Sequence, residues 1–208
     1  AMAGRWTWAA GKWRFYAGAF RAPVTVLSGA EMNGVPSRYR RFTGQYDRIN
    51  TLRGSFRDAR QNYEVSAYPT IVDAPAKTAD GETLATDLNL PMTTSHTMAQ
   101  RIAKIALKRS RAQKQLSASF NHKAINALPG EIATMTYPGF NLDGETMLIE
   151  KWDLAAIQDN AGNLGLGVNL DFIEERAEWY DWDESTEEQV LGTSDTLGGA
   201  AGAYPWAK

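Results

Sequence analysis

The residues able to do chemistry are few. Cysteine is absent and only two histidines occur, His96 and His122. Thiolate nucleophiles, thiolate-bound zinc, iron–sulfur clusters and disulfides are therefore excluded within this sequence, and a three-histidine metal site cannot be assembled. Ser-His-Asp catalysis has only two candidate bases. His96 falls at a helix start and His122 in the polar strand end Asn121-His122-Lys123, neither with a nucleophile and a carboxylate at a recognisable spacing. Asp143 and Glu145, either side of Gly144, offer two carboxylates of the kind glycosidic chemistry uses, but a hairpin turn accounts better for Asp-Gly-Glu. The acidic run Asp171, Glu174, Glu175, Glu178, Asp181, Asp183, Glu184, Glu187 and Glu188 lacks the spacing and central glycine of a calcium loop. No phosphate-cradling or dinucleotide-type glycine motif follows a strand, and Gly165-Leu166-Gly167 is a fragment inside one. No catalytic, cofactor-binding or metal-ligating residue is assigned, and no cofactor is expected.

One constellation has a regular spacing, and it is basic. Arg101, Lys104, Lys108 and Arg111 recur at intervals of 3, 4 and 3 and share a stripe on a helix. They form a candidate charged assembly or lumen face. Such a flank can grip a polyanion. Solvation, or pairing with the acidic C-terminal third, is the simpler expectation, and no aromatic side chain lies within the helix to stack a base. Trp6, Trp8, Trp13, Phe15 and Tyr16 can form a sugar-binding platform, but residues of this kind more often close a core.

The elements that must position these groups read as strands, one helix, then strands. Trp6 and Trp8 alternate, as do Trp13 and Phe15, across Ala10-Gly11, which predicts a hairpin. Val24 to Leu27 is a short strand, and residues 28–45 read as a basic loop or irregular strand pair. Asn50, Leu52, Gly54 and Phe56 alternate, and residues 64–72 are β-rich, with Pro69 at an edge or strand end. Residues 73–92 carry Pro75, Gly81 and Pro91 and read as a connection. The amphipathic helix spans about residues 95–115, capped by Thr94 or Ser95, with Met98, Ile102, Ile105 and Ala106 as an apolar stripe laid on the C-terminal sheet. Strands then follow at Leu116–Phe120, Ile132–Tyr137, Met147–Trp152 and Leu164–Phe172, with a hairpin turn at Asp159–Asn163. The expected fold class is α+β and β-rich, with antiparallel strands forming small barrel-like or curled-sheet domains and one amphipathic helix. The expected division is residues 1–72, a connector at 73–93, a helix-plus-sheet domain at 94–183, and an acidic then Gly/Ala-rich tail or linker at 184–208.

The 208 residues are 43% hydrophobic and 22% charged, which excludes wholesale disorder and fibrous repeats. No apolar run reaches the length of a membrane span. The opening Ala1-Met2-Ala3 reads as a cloning scar and the chain as a fragment of a longer protein. Charge is segregated: residues 1–62 carry +8, 63–93 carry −4, 94–125 carry +7 and 126–208 carry −13. Opposite blocks either attract within one fold or face different partners.

Two stretches carry a family resemblance. The first is Ile49 to Asp58, followed by Asn62-Tyr63 and Tyr68-Pro69-Thr70; the second is Asp87 to Pro91, Ala99 to Ala103, Lys108 to Arg111, and Leu128-Pro129-Gly130-Glu131. In this order they resemble the central tail tip (host-specificity or tip attachment) protein of lambdoid long-tailed bacteriophages, in its baseplate-hub region, over roughly residues 11–182; Gly11-Lys12-Trp13 also fits. Glu131 departs from the Asp usual there, a change conservative in charge. The Gly/Ala-rich end does not match the fibronectin-like modules expected next. The resemblance implies a virion structural protein without enzymatic activity. It would form small β-barrels carrying a helix and act in a homotrimeric hub that joins the tail tube to the tip and frames the DNA exit channel. Its partners would be further copies of itself, other phage tail proteins and DNA passing through the lumen. It would reside at the virion tail tip after assembly in the bacterial host cytoplasm. Contacts between protomers are expected to use the charge blocks. A cell-wall glycan-binding or hydrolysing tail module, and a nucleic-acid-binding module using the basic N-terminal block and helix flank, are the alternative functions.

Overall fold

The computed structural model describes residues 4–9, 11–42, 44, 47–158 and 164–190, without the side chains of 157 and 158. In chain order the strands are β1 Arg5–Ala9, β2 Lys12–Tyr16, β3 Thr25–Ser28, β4 Arg38–Arg40, β5 Thr51–Arg53, β6 Ser55–Asp58, β7 Glu64–Ala67, β8 Ile71–Val72, β9 Ala85–Asp87, β10 Gln115–Asn121, β11 Ile132–Tyr137, β12 Leu142–Gln158 and β13 Leu164–Glu174. The α-helices are α1 Ala74–Asp80 and α2 His96–Ser110. The chain divides into two compact units. One comprises residues 48–110 with 181–190; the other comprises residues 4–47 with 111–180.

The larger unit is built on a six-stranded sheet in the order β3-β11-β12-β13-β10-β4. Its centre is the long antiparallel pair β12–β13, in register from Met147↔Glu174 to Gln158↔Leu164 with one shift between Ile149 and Lys151. Period-two alternation works as expected here. Leu116, Ala118 and Phe120 of β10, Met147 and Ile149 of β12, and Val168, Leu170 and Phe172 of β13 are buried in one cluster with Leu27, Met135 and Leu142. Each fully buried side chain of this size stabilises by about 1.5–3 kcal/mol. Pairing is antiparallel except between β3 and β11, which run parallel. The expected barrel is not closed among the described residues: β3 and β4 are the sheet's two edges. The turn expected at Asp143–Glu145 lies earlier, at Pro138–Phe140 followed by Asn141 at φ +54°. Asp143-Gly144-Glu145 instead sits within β12, where the register against β11 shifts and Gly144 takes φ +63°. The hairpin turn expected at Asp159–Asn163 lies outside the described residues.

The hairpin β1–β2 forms as its alternation predicts, pairing Trp6↔Phe15 and Trp8↔Trp13. Its aromatics do not enter a core. Trp6, Trp8, Trp13 and Phe15 are 66%, 56%, 57% and 74% exposed. Alternation fixes which side chains share a face, not which face is covered.

The smaller unit carries a three-stranded sheet, β8-β5-β9, and the antiparallel pair β6–β7. Among the described residues two α-helices occur rather than the one expected. Helix α1 lies inside the stretch read as a connector, because Pro75 occupies its first turn, where a missing N–H is harmless. Asp73 caps it by accepting from the Ala76 N–H, and Gly81 closes it at φ +75°. Helix α2 stops at Ser110, short of the expected Gln115, which begins β10. Ser95 accepts from the Met98 N–H at its start. Its buried side is Ala99, Gln100, Ile102, Ala103, Ile105 and Leu107, whereas Met98 is 47% exposed. That side joins Leu52, Phe56, Tyr68 and Leu90 in the core, packing on β5, β6 and β8 instead of the expected C-terminal sheet. Helical periodicity identifies an apolar side and leaves its cover unspecified; here that cover comes from residues 48–90.

Candidate functional site

Helix α2 brings three of its four flank cations together. Arg101 donates to Glu184 at 2.7 Å, Lys104 pairs with Glu187 and donates to the Asp181 carbonyl at 2.6 Å, and Lys108 pairs with Asp73 at 2.7 Å. Arg111 lies past the helix end, in the other unit. Arg101 and Lys104 are met by acids from the C-terminal third, whereas Lys108 is met by Asp73. Residues 181–190 carry five Asp and Glu and no base, and α2 carries four Lys and Arg and no acid.

The anchor of this segment was not legible as such. Gln100 is buried, and its amide donates to the Gln189 carbonyl at 2.8 Å while accepting from the Gln189 N–H at 2.9 Å. A buried glutamine on the apolar side of a helix is the signal, since such an amide requires partners. Trp182 lies 5.5 Å from the Arg101 guanidinium carbon and 5.7 Å from the Lys104 nitrogen, within cation–π range. His96 reaches Glu188 at 4.0 Å. A cavity of about 370 Å³ runs beside these contacts, lined by Ile71, Asp73, Leu107, Lys108, Trp182 and Glu187. Its charged groups are paired with one another.

The candidate carboxylates of the larger unit are also engaged in structure. Glu145 pairs with Lys114, and Asp143 is exposed. Glu131 accepts from Arg14 at 3.1 Å. Glu175 accepts from the Tyr180 hydroxyl at 2.5 Å and faces Arg5 at 3.6 Å. Glu174 accepts from the backbone N–H groups of Gln113 and Lys114 and from Arg176. Burial alone would raise its carboxyl, but these donors and the guanidinium charge outweigh burial and hold it below the ordinary value. Among the described residues no group of three or more His, Asp and Glu is arranged to hold a metal ion.

The hairpin β1–β2 is seated on Leu128-Pro129-Gly130-Glu131. Tyr16 donates to the Pro129 carbonyl at 3.3 Å, and its ring lies where a Cβ on Gly130 would meet it at 2.2 Å. Arg21 donates to the Gly130 carbonyl and stacks 3.9 Å over the Tyr16 ring. Arg5 and Arg14 supply the ion pairs already given, so this hairpin turns its charges inward and its aromatics outward.

A family model described as "Putative phage tail protein" matches residues 1–152. No curated protein matches the sequence. Among solved structures, a chain of the virion of a native gene transfer agent particle superposes with a TM-score of 0.58 at 18% identity, covering 80% of this chain and 35% of that one. The crystal structure of the 43 kDa tail protein of prophage MuSo2 from Shewanella oneidensis gives a TM-score of 0.47 at 12% identity, covering 79% and 46%. The chain thus spans less than half the length of either structure. The first of these likenesses shows the shared fold.

Proposed function

Because the chain belongs to this phage tail protein family, we propose that it is a hub segment of a tail tip, one protomer of a homotrimeric ring that joins the tail tube to the tip and frames the DNA exit channel. It acts with other tail proteins and performs no catalysis. The observation that carries this reading is the engagement of its charged groups. Glu131, Glu145, Glu174 and Glu175 each hold elements of the larger unit together, and the flank of α2 holds residues 181–190. Side chains committed in this way serve a rigid building block. The hydrolase alternative asks Glu145 for a catalytic carboxyl that Lys114 already neutralises. The nucleic-acid alternative asks for the basic N-terminal block together with an α2 flank whose Arg101 and Lys104 are already paired with Glu184 and Glu187.

The test is the copy number and position of this chain in intact particles, by structure determination of the assembled tail tip or by crosslinking. Three copies around the tail axis are expected. Six copies, one copy, or a location off the axis would refute the hub reading.

A further inference from the structure

The hairpin β1–β2 turns its charges inward and four large aromatic side chains outward. Among the described residues its two strands pair with each other alone, outside the six-stranded sheet. A lone two-stranded hairpin is marginal in water, and this one is held on its inner side by Arg5, Arg14 and Tyr16. Its outer side presents Trp6, Trp8, Trp13 and Phe15 as one face, because Trp6↔Phe15 and Trp8↔Trp13 are cross-strand pairs. Trp13 touches both other tryptophans, with ring centroids 5.1 Å apart in each case. A contiguous apolar patch of this kind on a water-soluble surface marks an interaction site.

We infer that this face is a contact between copies of the chain: Trp6, Trp8, Trp13 and Phe15 of one copy are buried against the neighbouring copy in the assembled tail. The inference rests on the ring proposed above. Three observations select this occupant. The rings are inclined at 54° and 66° to one another and offer no flat platform for a sugar. The face itself carries no charge. Lys12 and Arg14 alternate onto the opposite side, where Arg14 is paired with Glu131, so neither a nucleic-acid backbone nor an anionic headgroup is recognised. The area also fits. An aromatic side chain buries roughly 150–250 Å², so four at these exposures offer on the order of 400–600 Å². A stable pairwise interface needs about 800 Å² per partner. The face therefore supplies most of a contact that closes at the high local concentration of a particle, while the dilute chain stays monomeric. Tryptophans packed in this manner are the side chains that carry binding energy in interfaces.

Since the sequence has no cysteine, Trp8→Cys introduces a single thiol into the face and leaves three aromatics in place. Labelled on that thiol with a benzophenone maleimide before assembly and irradiated in assembled particles, the variant should give crosslinked multimers of this chain, because the excited benzophenone inserts into C–H bonds of whatever surface covers the face. Monomer only, or a product with a different tail protein, would overturn the inference. A second arm replaces Trp6, Trp8, Trp13 and Phe15 together by Thr. This variant should keep the wild-type melting temperature, because the four side chains are exposed in the single copy. Its self-association at high concentration, read by sedimentation, should fall at least about tenfold, the equivalent of losing roughly 1.4 kcal/mol. Unchanged association, or tryptophan-dependent flotation of the wild type with phosphatidylcholine vesicles, would likewise overturn it. Three copies per ring without copy-to-copy crosslinks would remove this inference and leave the hub. Crosslinked copies in a ring of another number would remove the hub and leave the contact.

Discussion

At Gly54 a hydrogen atom is all the space allows. The residue has φ +156°, and a Cβ there would stand 1.9 Å from the Leu88 carbonyl oxygen and 2.8 Å from the Tyr68 hydroxyl. That hydroxyl lies 2.9 and 2.8 Å from the carbonyls of Arg53 and Leu88, which share its one proton, and burial, with the Asp87 charge adding to it, pushes its pKa up to about 12. Gly54, Tyr68 and Leu88 all belong to the stretches that carry the family resemblance, and their role proves to be closure of the smaller unit. Alternation alone placed Gly54 in a strand; neither its φ nor the approach of Leu88 has a sequence signal. Gly54→Ala should destabilise by about 3 kcal/mol or more, measured by denaturant unfolding, and a loss under about 1 kcal/mol would show that the strands separate without penalty. At Glu174 the folded carboxyl is held below its unfolded value, so its contribution is complete above about pH 4.3 and is lost as the pH falls through the folded value. The melting temperature of Glu174→Gln should therefore lie furthest below that of the wild type near neutrality, and the two should converge in acid. A gap that is constant with pH would deny the charge any part.

Among the elements, α2 illustrates what periodicity reveals and what it omits. A helix near residues 95–115 was legible from its spacing, and so was its basic flank. The shift of the buried stripe from Met98 toward Ala99, Ala103 and Leu107 was not, because it depends on Leu52, Phe56 and Tyr68 as neighbours. Ile102→Asp should unfold the smaller unit, since an unpaired buried charge costs several kcal/mol; an unchanged melting curve would contradict the packing. Residues 184–190 read as the start of a tail from composition, because acidic polar stretches bury little. They are held by partners that composition cannot show, above all Gln100. Exposed ion pairs contribute only about 0–1 kcal/mol each, whereas truncating a buried amide leaves the Gln189 N–H and carbonyl unpaired, at roughly 1–3 kcal/mol. Gln100→Ala should accordingly raise amide hydrogen exchange across residues 183–190 while β10 and β13 keep their protection. Neutralising Arg101 should change that exchange much less. Equal effects from the two substitutions would mean that charge, and not the amide, holds the segment.

For the whole molecule, segregated charge was the most conspicuous feature of the sequence and suggested ionic contacts between protomers. The structure redirects that argument. Part of the basic first block and more of the α2 block meet their acids within a single copy: Arg5 with Glu175, Arg14 with Glu131, Lys114 with Glu145, Lys108 with Asp73, and Arg101 and Lys104 with Glu184 and Glu187. Charges paired inside a protomer have little left to give across an interface. The uncharged aromatic face of β1–β2, by contrast, is left uncovered in the single copy. Self-association of the chain should then respond weakly to salt. Screening shortens the reach of exposed charges from about 10 Å at 0.1 M to about 3 Å at 1 M, which would weaken an ionic contact severely. Burial of aromatic surface is not screened, and it strengthens when sulfate replaces chloride. Sedimentation across this range should show an association constant that is level in chloride and higher in sulfate. A steep decline with chloride would return the contact to the charge blocks and require the pairs now closed within each copy to open on assembly.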